Sequence, residues 1–486
     1  MLALLIGLIL AAGLLARGAW DVWAQSLLFI AAAGGTAFWL LARIVAGYIP
    51  LPPRRLLAWA AALAALSGLS AWASPLPYYA VQSWRVILVG CWIFCALAVV
   101  PKDDRALIDR FLRAAGWTLV LLAFYQHYHD HLARPDSALL NQNVFAGVVL
   151  LLLPLAVQER DWLLFGGLFV CLCWSRTVGA WLGLACALVL TRRGRESVAS
   201  YAGLSLLFIC LVLVYGKLRT PDVAHRLHWW LAAARMGAAR PLLGFGPGAY
   251  AYAAPSYAGP ADLSSLFAHQ HFLETAADCG WPYLLLWAGA LVYFLRRGAP
   301  HKRFGAIALL TQSMWDYPLS VPAVFWVFCY FAASTTPQSS SGVNVRFERK
   351  PVWAALVLAL GLGACWWARR AWQADRLKAA AVEAYRDDRR PDLAQERLER
   401  SLRLADDPEA ERLAAETLLD PARRPEPAQV REAAAHLERA ARLNPYRPST
   451  WMALERLHTA LGDPSAQRWR REGQRYCPVL RQGPAS

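Results

Sequence analysis

Charge is what this chain has least of: Asp, Glu, Lys and Arg make up 17% of its 486 residues, while 57% are hydrophobic. A soluble domain of that size cannot cover its surface with so little charge, so the chain does not read as one soluble globule. A CxxC pair and any cysteine framework are missing too. Nine of the ten cysteines lie in or beside apolar segments, and only Cys477 falls in the polar C-terminal part. Disulfide scaffolds and redox chemistry are thereby set aside. The N-terminus lacks a basic n-region and a small-residue cleavage site, so its opening apolar run is expected to be retained as a first helix. Acidic residues are outnumbered, 34 against 50 basic ones, for a net charge of +16. These basic residues are scattered through short loops between apolar runs, the mark of membrane topology and not of a nucleic-acid face.

What is present is a series of apolar runs of helical length. About thirteen spans are expected, near residues 1–16, 25–47, 56–73, 84–100, 106–126, 139–157, 162–174, 178–190, 199–216, 274–295, 304–316, 320–334 and 351–368. With the N-terminus in the cytoplasm, Arg54, Arg55, Lys102, Arg105, Arg110, Arg113, Arg192, Arg193, Arg195, Arg296, Arg297, Lys302, Arg303, Arg346, Arg349 and Lys350 all fall on the cytoplasmic side. The alternate loops hold few: Arg17, Arg85, Arg134 and Arg176. That asymmetry follows the positive-inside rule. It sends the one long inter-span loop, 217–273, and everything after the last span to the outer, periplasmic face of a bacterial inner membrane. The expected fold is all-α: a polytopic membrane helix bundle over residues 1–368 and a periplasmic helical-repeat domain over 369–486.

Beyond Arg369 the charges return, and short amphipathic helices broken by Pro or Asp-Pro are expected over Ala371–Arg386, Leu393–Leu404, Ala410–Leu419, Ala428–Leu443 and Thr450–Leu461. The stretch Leu437 to Pro445, with small Ala440 and Ala441, followed by Trp451 to Gly462, resembles the close of one tetratricopeptide repeat and the opening of the next. Such stacks present concave surfaces to peptides or subunits, so the resemblance implies a protein partner.

The long loop carries the chemistry. It holds His225-Arg226-Leu-His-Trp229, then Arg235, then Pro241-Leu-Leu-Gly-Phe-Gly-Pro-Gly248-Ala-Tyr250, and closes on Ala268-His269-Gln270-His271-Phe272-Leu273-Glu274. Upstream stand Asn141-Gln-Asn143-Val-Phe145-Ala146 and Ser175-Arg176-Thr177, and downstream Trp315-Asp316-Tyr317-Pro318-Leu319. Over about residues 55–335 this order resembles the bacterial O-antigen ligase and polysaccharide polymerase superfamily. Gln270 stands where that family more often has Asn. The resemblance implies a GT-C-like membrane fold and a metal-independent, inverting glycosyltransferase without a cofactor. Its donor would be a glycan on polyprenyl (undecaprenyl) pyrophosphate, and its acceptor a lipid A core, another glycan or a protein hydroxyl. Membrane lipid would surround it.

A departing pyrophosphate needs fixed positive charge, and arginine supplies it through a planar fork that binds phosphate oxygens bidentately. Arg176 and Arg226 are the first candidates, with Arg235 behind them; Arg176 sits in an outer turn against the positive-inside bias. His269 is the candidate base for the acceptor hydroxyl, since imidazole is the side chain that changes charge between pH 5 and 8. His271 is expected to point elsewhere. Asn143, Gln270, Glu274 and Asp316 are supporting candidates, the two acids as partners for an arginine or as helix-end caps. Gly244 to Gly248 has no preceding strand and a proline at the helix entry, which makes it a tight turn and not a nucleotide loop. His127, His129 and His131 with Asp130 read as a solvated outer loop, because no second cluster completes a metal site.

Two other classes compete. A transporter or flippase would place ionisable residues near the bilayer midplane and show repeated spans, and neither is visible in the sequence. A non-catalytic assembly scaffold leaves the loop arginines and His269 unexplained.

Overall fold

The structure, a computed structural model, describes residues 1–191, 203–211, 221–258, 265–296, 299–334, 344–346, 348–420 and 425–481. Arg192, Arg193, Arg195, Lys217 and Arg297, and half of the expected span at 199–216, lie outside the described residues. Helices dominate: α1 Leu2–Leu15, α2 Val22–Ala46, α3 Arg54–Trp72, α4 Pro77–Val99, α5 Lys102–Tyr128, α6 Gln142–Gln158, α7 Trp162–Ser175, α8 Val178–Thr191 and α9 at 203–211. There follow α10 Pro221–Ala239, α11 Tyr250–Ala253, α12 His271–Leu295, α13 Pro300–Gln312, α14 Pro322–Ala333 and α15 Lys350–Arg386. The C-terminal helices are α16 Pro391–Leu402, α17 Pro408–Leu418, α18 Pro427–Leu443, α19 Pro448–Ala460 and α20 Ala466–Tyr476. One exception to the all-α expectation is a short antiparallel pairing of β1, Tyr48–Pro50, with β2, Asn344–Arg346.

α6 and α14 form the centre. Every residue from Val144 to Ala156 is buried, and α14 is buried along nearly its whole length, as expected of helices that are apolar all round. Around them α1 packs on α5, α13 on α6 and α8, α4 on α3 and α14, and α12 on α3 and α10. α2 and α15 pack mainly on each other and show most of their apolar surface outward.

Among the described residues, five helices are long and apolar enough to cross a membrane: Val22–Ala46, Arg54–Trp72, Pro77–Val99, His271–Leu295 and Lys350–Arg386. Five further apolar helices, Leu2–Leu15, Gln142–Gln158, Trp162–Ser175, Val178–Thr191 and Pro322–Ala333, are shorter. At 1.5 Å per residue, a 14-residue helix reaches about 21 Å, short of a hydrocarbon core about 30 Å thick. Apolar composition and spanning length therefore part company at these helices.

The compositional boundary at Ala368 is not a structural break. α15 runs for 37 residues straight through it, carrying the chain from the apolar layer into the polar helices beyond. Arg85, expected in an outer loop, lies inside α4 and is 3% exposed. Lys302, expected as a free loop charge, is buried against Asp109 at 3.0 Å. Buried ionisable residues thus exist where the sequence showed none. α16 to α20 pack each on the next in chain order, and Ala440 and Ala441 are buried at that packing.

Candidate functional site

The site is organised by a break in α12. Gly280 has φ 83° and ψ 166°, and Pro282 has no N–H to donate to the preceding turn. Carbonyls freed by the break accept from the glycine turn: Phe245 N–H donates to Ala277 O at 3.0 Å, and Gly246 N–H to Asp278 O at 2.7 Å. The Asp278 carboxylate finishes the clamp, accepting from Gly248 N–H and Tyr250 N–H, both at 2.8 Å. Gly244 has φ 63°, and a Cβ there would stand 2.3 Å from Asp278 O. Both the conformation and the close approach require glycine. The turn is thereby fixed to the helix that follows His269.

His269 precedes α12 in a left-handed conformation, φ 53°. A non-glycine residue held there costs roughly 1–3 kcal/mol and persists only where its surroundings enforce it. They do. Its ring stacks on Trp229 at 4.7 Å and meets Tyr317 edge-on at 4.8 Å. Its Nδ1 lies 3.0 Å from Asp316 Oδ1, with the two side chains 15% and 4% exposed. A carboxylate at this distance accepts from Nδ1, and in the neutral tautomer that this favours the lone pair lies on Nε2. Among the described residues, Nε2 has no hydrogen-bond partner. Burial, with Asp316 beside it, pushes the Tyr317 hydroxyl up to about 12, so it stays neutral next to the imidazole.

Glu274 does not pair with an arginine. It accepts from Ala268 N–H at 2.8 Å and from the Ser320 hydroxyl at 2.7 Å, tying the 268–274 turn to the segment before α14. Gln270 is the N-cap of α12, its side chain accepting from Leu273 N–H at 2.5 Å. An N-cap needs a side-chain oxygen as acceptor, and the longer arm of Gln270 still delivers one. Asp316 likewise serves a histidine and not an arginine.

The arginines divide. Arg226 donates from Nη1 to the carbonyl of Trp315, one residue from Asp316, and shares a face of α10 with Trp229 and Trp230, which packs on Trp315 at 5.7 Å. Arg235 instead donates to Tyr257 O at 3.1 Å, which makes it a brace for the outer loop. Arg176 ends α7 in a left-handed conformation, φ 51°, with its side chain exposed. Next to it, the Thr177 hydroxyl donates to Asn143 Oδ1 at 2.9 Å, and Asn143 O accepts from Gln312 at 2.7 Å. Asn143 thus links the Arg176 turn to the 312–317 segment whose other end holds Arg226 and Asp316.

Four residues outside the candidate set come near these groups. Arg134 reaches the same place, donating to Ser175 O at 2.9 Å; it was legible only as a topology marker. Asp278 reads as an isolated acid in an apolar helix. His271 is not idle: it accepts from the Trp287 indole N–H at 3.1 Å and lines a cavity of about 690 Å³. Arg17, paired with Asp21 at 3.0 Å, lines the same cavity with Trp20, Tyr79, Tyr252 and Asp278. His269 does not line it. A ladder of rings, Trp20 on Phe267, Phe267 on Tyr317 and Tyr317 on His269, connects the two. His127, expected in an extended loop, sits on the end of α5, donates from Nδ1 to Leu132 O at 2.9 Å and stacks on Trp174 at 4.0 Å. Among the described residues, no group of three His, Cys, Asp or Glu side chains is placed to hold a metal.

Residues 163–288 match the family model for O-antigen ligase. The O-antigen ligase match takes in Arg176, Arg226, Arg235, the glycine turn, His269, Gln270, Glu274 and Asp278, and ends before Asp316. It supports the O-antigen ligase superfamily and with it a glycosyltransferase-type enzyme of polysaccharide biosynthesis. Together with the apolar helices it supports a membrane protein. No curated protein matches the chain.

Proposed function

We propose that this protein transfers a glycan from polyprenyl pyrophosphate to an acceptor hydroxyl at the outer face of the inner membrane, with an O-antigen ligase-type reaction as the leading form. The observation that carries the reading is the His269–Asp316 pair, Nδ1 to Oδ1 at 3.0 Å, which leaves Nε2 without a hydrogen-bond partner among the described residues. Nε2 takes the acceptor O–H proton as that oxygen bonds to the anomeric carbon. The bond from that carbon to the pyrophosphate oxygen breaks, with inversion, and the leaving anion keeps the electron pair. Arg226 and Arg176, with Arg134 beside the latter, offer the charge that receives it. The cavity's indole and phenol rings, amides and hydroxyls suit a sugar chain.

The test is transfer in vitro from purified lipid-linked donor. Wild-type activity is expected to persist in EDTA, and its loss there would replace the reading with a metal-dependent one. Arg226→Ala and Arg176→Ala each lose a charge-assisted phosphate contact of roughly 1.5–3 kcal/mol, so transfer should fall by about 10- to 150-fold with Arg→Lys recovering only part. Full activity in either alanine variant at normal expression would remove that arginine from the site.

The topology belongs to the same proposal: thirteen spans, with the helices after α15 forming a tetratricopeptide-like periplasmic domain that takes a protein partner. A C-terminal alkaline phosphatase fusion should be active. An inactive phosphatase with an active cytoplasmic reporter at the same position would reverse the orientation. Polymerase and protein oligosaccharyltransferase readings differ only in the acceptor, and the lipid-linked glycans that accumulate in a deletion strain, long unligated chains or single units, distinguish them.

A further inference from the structure

Three helices unrelated to His269 enclose an apolar cleft of about 300 Å³, lined by Phe29, Ala33 and Thr36 of α2, Leu88 and Trp92 of α4, and Gly361 of α15 among others. Among its lining residues the Trp92 indole donates to the Thr36 hydroxyl at 2.7 Å. Arg85 lies one helical turn from Leu88, beyond the residues that line the cleft. Arg85 shares a face of α4 with Leu88, Val89 and Trp92, following the i, i+3, i+4, i+7 pattern. Ser26 stands one turn beyond Phe29 on α2, and Trp367 one turn beyond Ala364 on α15. The guanidinium is bracketed by these two, 3.5 Å from Ser26 Oγ and 5.5 Å from the Trp367 ring.

Arg85 is 3% exposed, yet among the described residues no carboxylate pairs with it, and its Nε and Nη2 have no hydrogen-bond partner. A buried guanidinium left in this state is costly, and arginines at membrane depth ordinarily find an anion, a carbonyl or water. A hydroxyl at the edge of hydrogen-bond range and one indole face do not compensate a full charge. We infer that Arg85 and the α2–α4–α15 cleft form a binding site for a phosphate-bearing lipid, with a hydrocarbon chain in the cleft and a phosphate oxygen on the free guanidinium nitrogens. Charge complementarity selects the anionic head, since the planar fork matches phosphate geometry. The cleft selects a lipid over a soluble phosphate. Because α2 and α15 face outward, the chain can enter sideways from the bilayer.

The site is separate from His269, so its test does not depend on glycan transfer. The purified full chain in a non-ionic detergent is titrated with dodecyl phosphate, dodecanol and inorganic phosphate, with thermal unfolding as the readout. Dodecyl phosphate should stabilise the wild-type protein at concentrations at least tenfold below those at which dodecanol or inorganic phosphate act. Arg85→Met, which keeps similar volume and removes the buried charge, should fold, should unfold at or above the wild-type temperature, and should lose that preference. Ala33→Phe, which fills the cleft and keeps the charge, should lose the response to dodecyl phosphate while responding to inorganic phosphate as the wild type does. Equal responses of wild type and Arg85→Met to dodecyl phosphate, or equal responses of the wild type to dodecyl phosphate and dodecanol, would overturn the assignment.

Discussion

His269→Ala should lower glycan transfer by about 10²–10⁴-fold, the usual contribution of a positioned general base, while leaving the protein folded and the lipid-linked donor bound. The imidazole closes no helix and bridges no two segments through Nε2; its one polar contact is with Asp316. Its removal costs ring contacts with Trp229 and Tyr317 but relieves nothing that holds α12, since Gln270 caps that helix and Glu274 ties down the turn. Asp316→Asn supplies the sharper test of the arrangement. An amide at that position can donate to Nδ1 as readily as accept from it, so the imidazole is free to carry its proton on Nε2, where a base cannot use it. A loss of turnover at unchanged donor affinity would mark Asp316 as the residue that sets the tautomer. Strong transfer by His269→Ala, from protein purified at wild-type yield, would remove the histidine from the mechanism.

The helical content and the importance of the Gly244–Gly248 turn could be read from the sequence because both are local: apolar runs and glycine–proline punctuation carry their own physics. His269 stood out as a candidate for a similar reason, lying between that turn and an apolar run. What the sequence hid depends on distant partners. Asp278 looks like a misplaced acid until the break at Gly280 and Pro282 turns its carbonyl and carboxylate toward a loop about 30 residues earlier. Glu274 and Asp316 were read either as partners for an arginine or as helix-end caps; one satisfies a backbone and a hydroxyl donor and the other a histidine. The change at Ala368 was read as a boundary because composition switches there, yet helix propensity does not, and α15 continues. Arg85 was assigned to a loop because a charge beside an apolar run is most simply placed outside it. α20 went unread because its eleven residues are strongly polar overall, and only Trp469 and Tyr476 mark its apolar face.

Lys302→Ala should destabilise the membrane bundle by about 3–5 kcal/mol, the usual cost of leaving one member of a buried ion pair alone. Lys302 Nζ lies 3.0 Å from Asp109 Oδ1 and 3.1 Å from Oδ2, and 2.6 Å from the Tyr330 hydroxyl, which itself donates to Asp109 Oδ1 at 2.6 Å. The three residues come from α5, α13 and α14, so the network joins helices that no local sequence rule connects. Lys302 stands in the first turn of α13, where the helix dipole disfavours a cation; Asp109 offsets that and is itself neutralised. In Lys302→Ala the carboxylate keeps the tyrosine hydroxyl and the field of nearby Arg105 but loses its directly paired cation. Removing both charges has a different consequence: Asp109→Leu with Lys302→Met replaces the pair by apolar groups of similar volume, an exchange that is often neutral or stabilising. Unfolding midpoints of the wild type, the two single variants and the double variant in one detergent would complete the cycle. Stability should fall in each single variant and return in the double, and a Lys302→Ala protein that unfolds with the wild type would show that the pair contributes nothing to holding α5, α13 and α14 together.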